Sequence, residues 1–121
     1  MSYDIRFGVK VAGAADDVYA VIGEPEYSSP TYNNREIFVK SMDWDYKQGE
    51  WYPMTDVLPK IERGIHELRF HPEKYRGLEP DNGWGGIGSA LKALESIVGW
   101  FSSWDRGWNA DIPIECIYMS W

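Results

Sequence analysis

Residues 5–22, IRFGVKVAGAADDVYAVI, decide the fold that we predict for this chain. Apolar side chains alternate with polar or small ones over the first part of this stretch, at Ile5, Phe7, Val9 and Val11. A period of two is typical of a strand with one buried face. A turn over residues 12–16 separates it from a second apolar run over residues 18–22. We therefore predict an antiparallel hairpin closed by a short loop.

Two helices are predicted in the middle of the chain. Residues 35–42 follow Asn33 and Asn34, either of which is a suitable N-cap, although the apolar run at 37–39 equally fits a strand. Residues 54–68 carry apolar side chains at helical spacing, with polar ones opposite. Thr55 or Asp56 is the predicted cap of this helix, and His71-Pro72 its end.

A third helix and a final strand complete the prediction. Residues 83–88 are glycine-rich and open a helix whose apolar face runs from Leu91 to Phe101; the glycines and serines at Gly99, Ser102, Ser103 and Gly107 weaken and stop it. Residues 112–120 alternate with apolar side chains on both faces, which indicates a central strand or one covered by a partner. The fold class is therefore α+β: one domain over residues 1–121, with a small antiparallel sheet (the N-terminal hairpin plus the C-terminal strand) packed with two or three helices.

Charge and cysteine content exclude several functions. The net charge of −7 disfavours nucleic acid and anionic membranes as partners. Cys116 is the only cysteine, so no intramolecular disulfide forms, and its apolar neighbours indicate an inert core thiol. The first residues lack the pattern of a secretory signal, and no apolar run approaches the roughly 20 residues that span a bilayer. We expect a cytoplasmic protein.

Motifs for catalysis and metal binding are weak. Residues 83–88 match the dinucleotide-binding pattern G-x-G-x-x-G, but a polar loop rather than a buried strand precedes them. A glycine loop before a helix still fits either an anion site or a simple tight turn. His66 and His71, with Glu62 and Glu67 nearby, are expected to be structural or surface residues, so no metal site is predicted. We also predict that the protein is not an enzyme.

Aromatic residues are the unusual feature, with seven Trp and eight Tyr. Packing in the core and between subunits accounts for most of them. Trp84, beside Asn82 and the glycine loop, is the best candidate for stacking on a planar base. Tyr32 is the second, because short polar side chains surround it, including Ser28, Thr31 and Asn33. Arginines near these loops, such as Arg35, Arg76 and Arg106, are candidates for pairing with phosphate.

Five segments of the chain carry a resemblance to a known family. They are SYDIRFGVKV (2–11), EYSSPTYN (26–33), MDWDY (42–46), NGWG (82–85) followed by SAL, and IPIECIYMSW (112–121). In this order they resemble the phage Thoeris anti-defence proteins of the first type, small "sponges" that sequester nucleotide immune signals. The resemblance covers nearly the whole chain, but residues 101–109, with Trp104 and Arg106, do not match the pattern.

The resemblance implies non-catalytic binding of cyclic ADP-ribose isomers made by TIR-domain proteins, inside the host cell and without a cofactor. It also implies a second kind of site for cyclic oligonucleotides, and assembly into homodimers or into hexamers (trimers of dimers) with pockets at subunit boundaries. By position, the segment Asn82, Gly83 and Trp84 would form part of the base and ribose pocket. The loop over residues 28–33 would contact phosphate or a second ligand.

These lines combine into one prediction and one alternative. Trp84 stacks on the base, Asn82 and Tyr32 bind base or ribose, and Arg35, Arg76 or Arg106 pairs with phosphate. The alternative is an acidic inhibitor that docks on the basic surface of a host protein, which the net charge suggests. Scattered rather than clustered acidic residues count against that alternative.

Overall fold

A computed structural model of the chain describes residues 4–10, 19–25, 34–81, 85–106 and 116–120. The strands are β1 (Asp4–Lys10), β2 (Tyr19–Gly23), β3 (Glu50–Pro53) and β4 (Cys116–Ser120), and the helices are α1 (Arg35–Met42), α2 (Met54–Phe70) and α3 (Ile87–Arg106). Two short 3-10 turns, Pro72–Lys74 and Arg76–Leu78, connect α2 with the segment before α3. The predicted α+β class is confirmed.

The four strands form one antiparallel sheet in the order β2-β1-β4-β3. The predicted N-terminal hairpin pairs β1 with β2, with a register shift between Phe7 and Gly8; its loop lies outside the described residues. β4 lies between β1 and β3, so the prediction of a central strand is confirmed for residues 116–120. Residues 112–115 are outside the described part of the chain. Cys116 is buried, as expected of a core thiol.

β3 was not predicted. It has only four residues, Glu50–Pro53, and leads directly into α2. Four residues are too few to show a period of two. The pairing with β4 that creates this strand involves residues more than sixty positions away in sequence.

The helices cover one face of the sheet. Buried side chains of β1 and β4 on this face join those of the helices in a single core, with Ile5, Phe7, Ile117 and Met119 contributed by the sheet. Trp100 of α3 stacks on Phe7 with ring centroids 4.6 Å apart. α1 is a helix rather than a strand, with Ile37 and Phe38 fully buried in this core. Within the described residues, no helix has the length and apolar character needed to cross a bilayer.

The predicted N-cap residue is confirmed for α1 and wrong for α2. Asn34 is the N-cap residue of α1, but its side chain makes no cap hydrogen bond there. The N-cap of α2 is Pro53, and Thr55 and Asp56 lie inside the first turn. The physical reason is that β3 delivers the chain to α2 without a loop, so the sheet rather than a capping side chain fixes where this helix begins. The predicted end at His71 is confirmed.

The side of the sheet opposite the helices carries a cluster that we call the aromatic face. It is formed by Arg6, Gly8, Tyr19, Trp51 and Tyr118. Trp51 stacks on Tyr19 at 5.0 Å and contacts Tyr118 at 5.4 Å between ring centroids. The Arg6 guanidinium lies 5.6 Å from the Tyr118 ring centre. A Cβ atom at Gly8 would lie 2.6 Å from the Trp51 ring, so only glycine lets that ring cross the sheet here.

Candidate functional site

Most of the predicted ligand-binding residues lie outside the described part of the chain. These are Ser28, Thr31, Tyr32, Asn33, Asn82, Gly83 and Trp84. The structure describes the residues that flank them, namely Asn34 after the first segment and Gly85-Gly86 after the second. Of the predicted arginines, it describes the side chains of Arg35 and Arg76 and the backbone of Arg106.

Asn34 connects the two flanks. Its side chain is fully buried, and its Oδ1 accepts a hydrogen bond of 2.7 Å from the backbone N–H of Gly86. Its Nδ2 donates to Ser89 Oγ, also at 2.7 Å, and Ser89 Oγ donates to the Gly86 carbonyl at 3.2 Å. One side chain thus fixes the start of α1 against the start of α3. Asn34 and Gly86, which follow the two predicted site segments in the chain, are therefore adjacent in space.

The N-terminus of α3 is already bound to an internal carboxylate. The backbone N–H of Ile87 donates to Glu79 Oε2 at 3.0 Å, and that of Gly86 donates to Asn34. Gly86 has a φ of 136°, and a Cβ atom there would lie 2.6 Å from Glu79 Oε2. Glu79 therefore occupies the place that a helix N-terminus offers to an anion. A phosphate at the Ile87 amide would have to displace Glu79.

Arg76 lies beside this helix end. Its Nη1 is 3.6 Å from Glu79 Oε1, and its side chain is 66% exposed. Glu79 therefore contacts both the exposed Arg76 guanidinium and the Ile87 N–H at the start of α3. Arg76 thus reaches the start of α3 only through Glu79. Glu79, which joins the two, was not singled out in the sequence because a solitary glutamate in a polar loop carries no pattern.

Arg35 and Arg106 are placed differently. The Arg35 Nη2 donates to the Tyr46 carbonyl at 2.9 Å and to Asp45 Oδ1 at 3.2 Å, and its guanidinium lies 4.6 Å from the Tyr46 ring centre. These contacts hold Arg35 against the loop after α1. Arg106 is the last residue of α3. At 1.5 Å per residue it lies roughly 28 Å from Ile87, so one chain does not bring it to the glycine loop.

Other parts of the described chain offer a groove and a polar cluster. A groove of about 350 Å³ lies between α2 and α3, lined by Glu62, Ile65, Arg69, Glu95, Val98 and Gly99. The Arg69–Glu95 ion pair of 3.1 Å crosses it. None of its lining residues belongs to the predicted ligand site.

The polar cluster centres on Glu67, near the end of α2. Glu67 is buried and accepts a hydrogen bond of 2.7 Å from the Tyr75 hydroxyl. This hydrogen bond lowers the pKa of Glu67, while burial, together with the same bond, raises the pKa of Tyr75 to about 12. Sequence patterns missed the pair, because a glutamate on a helix and a tyrosine eight residues later have no distinctive spacing.

Comparisons with protein-family models, with curated proteins and with solved structures find no match to this chain.

Proposed function

We propose that the protein binds a cyclic nucleotide signal and holds it without cleaving it. The first ligand class is a cyclic ADP-ribose isomer, and cyclic oligonucleotides are the second. In this role the protein is a phage anti-defence factor in the cytoplasm of the host cell, where sequestering the signal keeps a defence effector inactive. Affinity and slow release suffice for such a task, so no nucleophile or general base is needed.

The double hydrogen bond of Asn34 is the observation that carries this proposal. Residue 33 is one peptide unit from Asn34, and residue 84 is two from Gly86; each unit spans about 3.8 Å. A pocket that draws Tyr32 and Asn33 from one segment and Asn82 and Trp84 from the other is consistent with this connection. Without it, two segments about fifty residues apart in sequence would have no reason to act on one ligand.

Arg76 supports binding of an anionic ligand in an otherwise acidic protein. Its ion pair with Glu79 is largely exposed and therefore weak, so little free energy is lost when Arg76 leaves Glu79 to pair with a phosphate. A phosphate arriving near the start of α3 would pair with Arg76 bidentately. Arg35 is committed to Tyr46 and Asp45, so it contributes by fixing the start of α1.

Assembly into homodimers, or into hexamers as trimers of dimers, belongs to the same proposal. The aromatic face supports it, because Tyr19, Trp51 and Tyr118 lie on the side of the sheet opposite the helices. Val21, in the edge strand β2, is 53% exposed. In an assembly, Arg106 would serve a pocket of a second copy, since in its own chain it lies at the far end of α3.

Equilibrium dialysis against a cyclic ADP-ribose isomer tests the proposed pocket. Trp84→Ala should weaken binding roughly ten-fold or more, since stacking on a base is worth on the order of 1–3 kcal/mol. Phe70→Ala, which removes a largely exposed aromatic ring at the end of α2, is the matched control and should bind as the wild type does. Equal losses in both variants would remove Trp84 from the pocket. A wild-type protein that takes up none of the tested cyclic nucleotides would overturn the proposal.

A further inference from the structure

Three potential metal ligands converge at the C-terminal end of α2. His66 and Glu67 lie in its last turns, and His71 is the first residue after it. One ligand atom from each of the three residues lies within 4.8 Å of the other two. The imidazole rings of His66 and His71 are 5.9 Å apart between centroids, and His71 Nε2 is 3.9 Å from Glu67 Oε2. We propose that these residues bind a divalent transition-metal ion of the Zn²⁺ type.

The carboxylate of this cluster is held in place before any metal arrives. The buried Tyr75 hydroxyl donates to Glu67 Oε1 at 2.7 Å, which leaves Oε2 on the side of His71. Tyr75 is 5% exposed, so the hydrogen bond is protected from water. Metal sites commonly use such an outer hydrogen bond to orient a ligand. An ordinary surface carboxylate has no comparable support.

The two histidine side chains can move to accommodate a metal ion. Donor atoms around a tetrahedral zinc ion with bonds of about 2.0–2.1 Å lie about 3.3 Å apart, so the cluster must contract by roughly 1.5 Å. His66 is exposed and His71 is partly exposed, so rotation of their side chains can close this gap while Glu67 stays fixed. Three protein ligands leave a fourth position open for water or for a ligand from outside.

Two neighbouring charges act in opposite directions on a bound cation. Lys74 Nζ lies 3.4 Å from Glu67 Oε1, and its positive charge repels a metal cation bound there. The lysine side chain is 56% exposed, so it can turn into solvent when the metal binds. Glu73 Oε1 lies 3.9 Å from His71 Nδ1, and its negative charge attracts a metal cation bound there. Two imidazoles and one carboxylate suit Zn²⁺, Ni²⁺ or Cu²⁺ rather than Mg²⁺ or Ca²⁺, which prefer oxygen ligands.

Calorimetric titration of the full chain, carrying no histidine tag, with ZnCl₂ tests the site. We expect one zinc ion per chain. His66→Ala and His71→Ala should each weaken binding about ten-fold or more, and Tyr75→Phe roughly ten-fold through the orientation of Glu67. Lys74→Gln should tighten binding, because it removes the opposing charge. Glu62→Gln, one turn before His66 on the same helix, is the matched control and should leave the affinity unchanged.

Three results would overturn the site. One is zinc affinity that stays the same in the His66→Ala/His71→Ala double variant, since both exposed changes leave the core intact. Another is MgCl₂ binding with the affinity of ZnCl₂, which would indicate diffuse attraction to an acidic surface. The third is weakening by Glu62→Gln as large as that by His71→Ala. The titration is independent of the proposed nucleotide binding, so the two proposals fail separately.

Discussion

Asn34 shows how much a single residue can determine in this protein. From sequence it was a candidate helix cap, which is the common role of an asparagine at that position. In the structure its two polar atoms bind residues 52 and 55 positions away, and the helix cap is left without it. No local rule separates these two roles, because the choice depends on which distant backbone comes near. The part of the candidate site that the structure describes depends on this contact.

Asn34→Ala tests the contact directly. The substitution leaves the buried N–H of Gly86 without its acceptor, so we expect the free energy of unfolding to fall by about 2 kcal/mol or more. Ser89→Ala removes one of the two Asn34 hydrogen bonds together with the Ser89 bond to the Gly86 carbonyl, but it leaves the Gly86 N–H with its acceptor, so it should cost about 1 kcal/mol. Urea denaturation measures both. Equal and negligible losses would show that Asn34 does not join α1 to α3.

Glu67 and Tyr75 give the protein a defined response to pH. The pKa of Glu67 is lowered by its hydrogen bond from Tyr75, so its contribution to stability is present above the unfolded pKa of about 4.5 and is lost as the pH falls through the folded pKa. The pKa of Tyr75 is raised to about 12, so its contribution is present below about pH 10 and is lost as the pH rises through 12.

Chemical denaturation of two variants across pH separates these contributions. As the pH falls below about 5, Glu67→Gln should lose less stability than the wild type, because its amide has no charge to lose. Above about pH 10, Tyr75→Phe should lose less than the wild type for the corresponding reason. Parallel curves for wild type and both variants would mean that the hydrogen-bonded pair is not formed in solution.

At the scale of elements, the long periodic segments were predictable and the short ones were not. α2 and α3 show a helical apolar stripe over many residues, and both were predicted with nearly correct bounds. α3 continues through Gly99, Ser102 and Ser103, because packing of its apolar face outweighs their low helix propensity. β3 depends on pairing with β4 and has no signal of its own. The N-cap of α2 was predicted wrongly, because β3 leads directly into this helix and sets where it begins.

Two glycines in helices should respond to alanine in opposite directions. A Cβ atom at Gly64 of α2 would lie 2.8 Å from Leu94 Cδ1 and 2.9 Å from Met42 Cγ, and both of these side chains are buried in the close-packed core. Gly99 of α3 has no atom within 4 Å of the same position. We expect Gly64→Ala to destabilise the protein by about 1–2 kcal/mol, and Gly99→Ala to stabilise it by about 0.5–1 kcal/mol. Thermal unfolding followed by circular dichroism measures both, and a stabilising Gly64→Ala would contradict the close contact of the three helices.

At the scale of the whole molecule, one sheet separates two different surfaces. Helices cover one face, and the aromatic face occupies the other, around Trp51 and Gly8. The α+β class could be predicted because the strand and helix periods are visible in the order of apolar and polar residues within each segment. The contact of Asn34 with Gly86 could not be predicted in the same way, because it links segments 52 positions apart in sequence. Seven of the predicted ligand residues lie in segments outside the described part of the chain, so their roles stay predictions.

Capture and release of an unaltered ligand test the central proposal most directly. The protein is incubated with a cyclic ADP-ribose isomer, filtered to remove free ligand, and then denatured by heat, and the ligand is measured before and after denaturation. Sequestration predicts that the ligand disappears from the filtrate and returns chemically unchanged. A converted product would identify an enzyme instead. Ligand that stays in the filtrate for every cyclic nucleotide tested would contradict binding altogether and favour an inhibitor of a host protein.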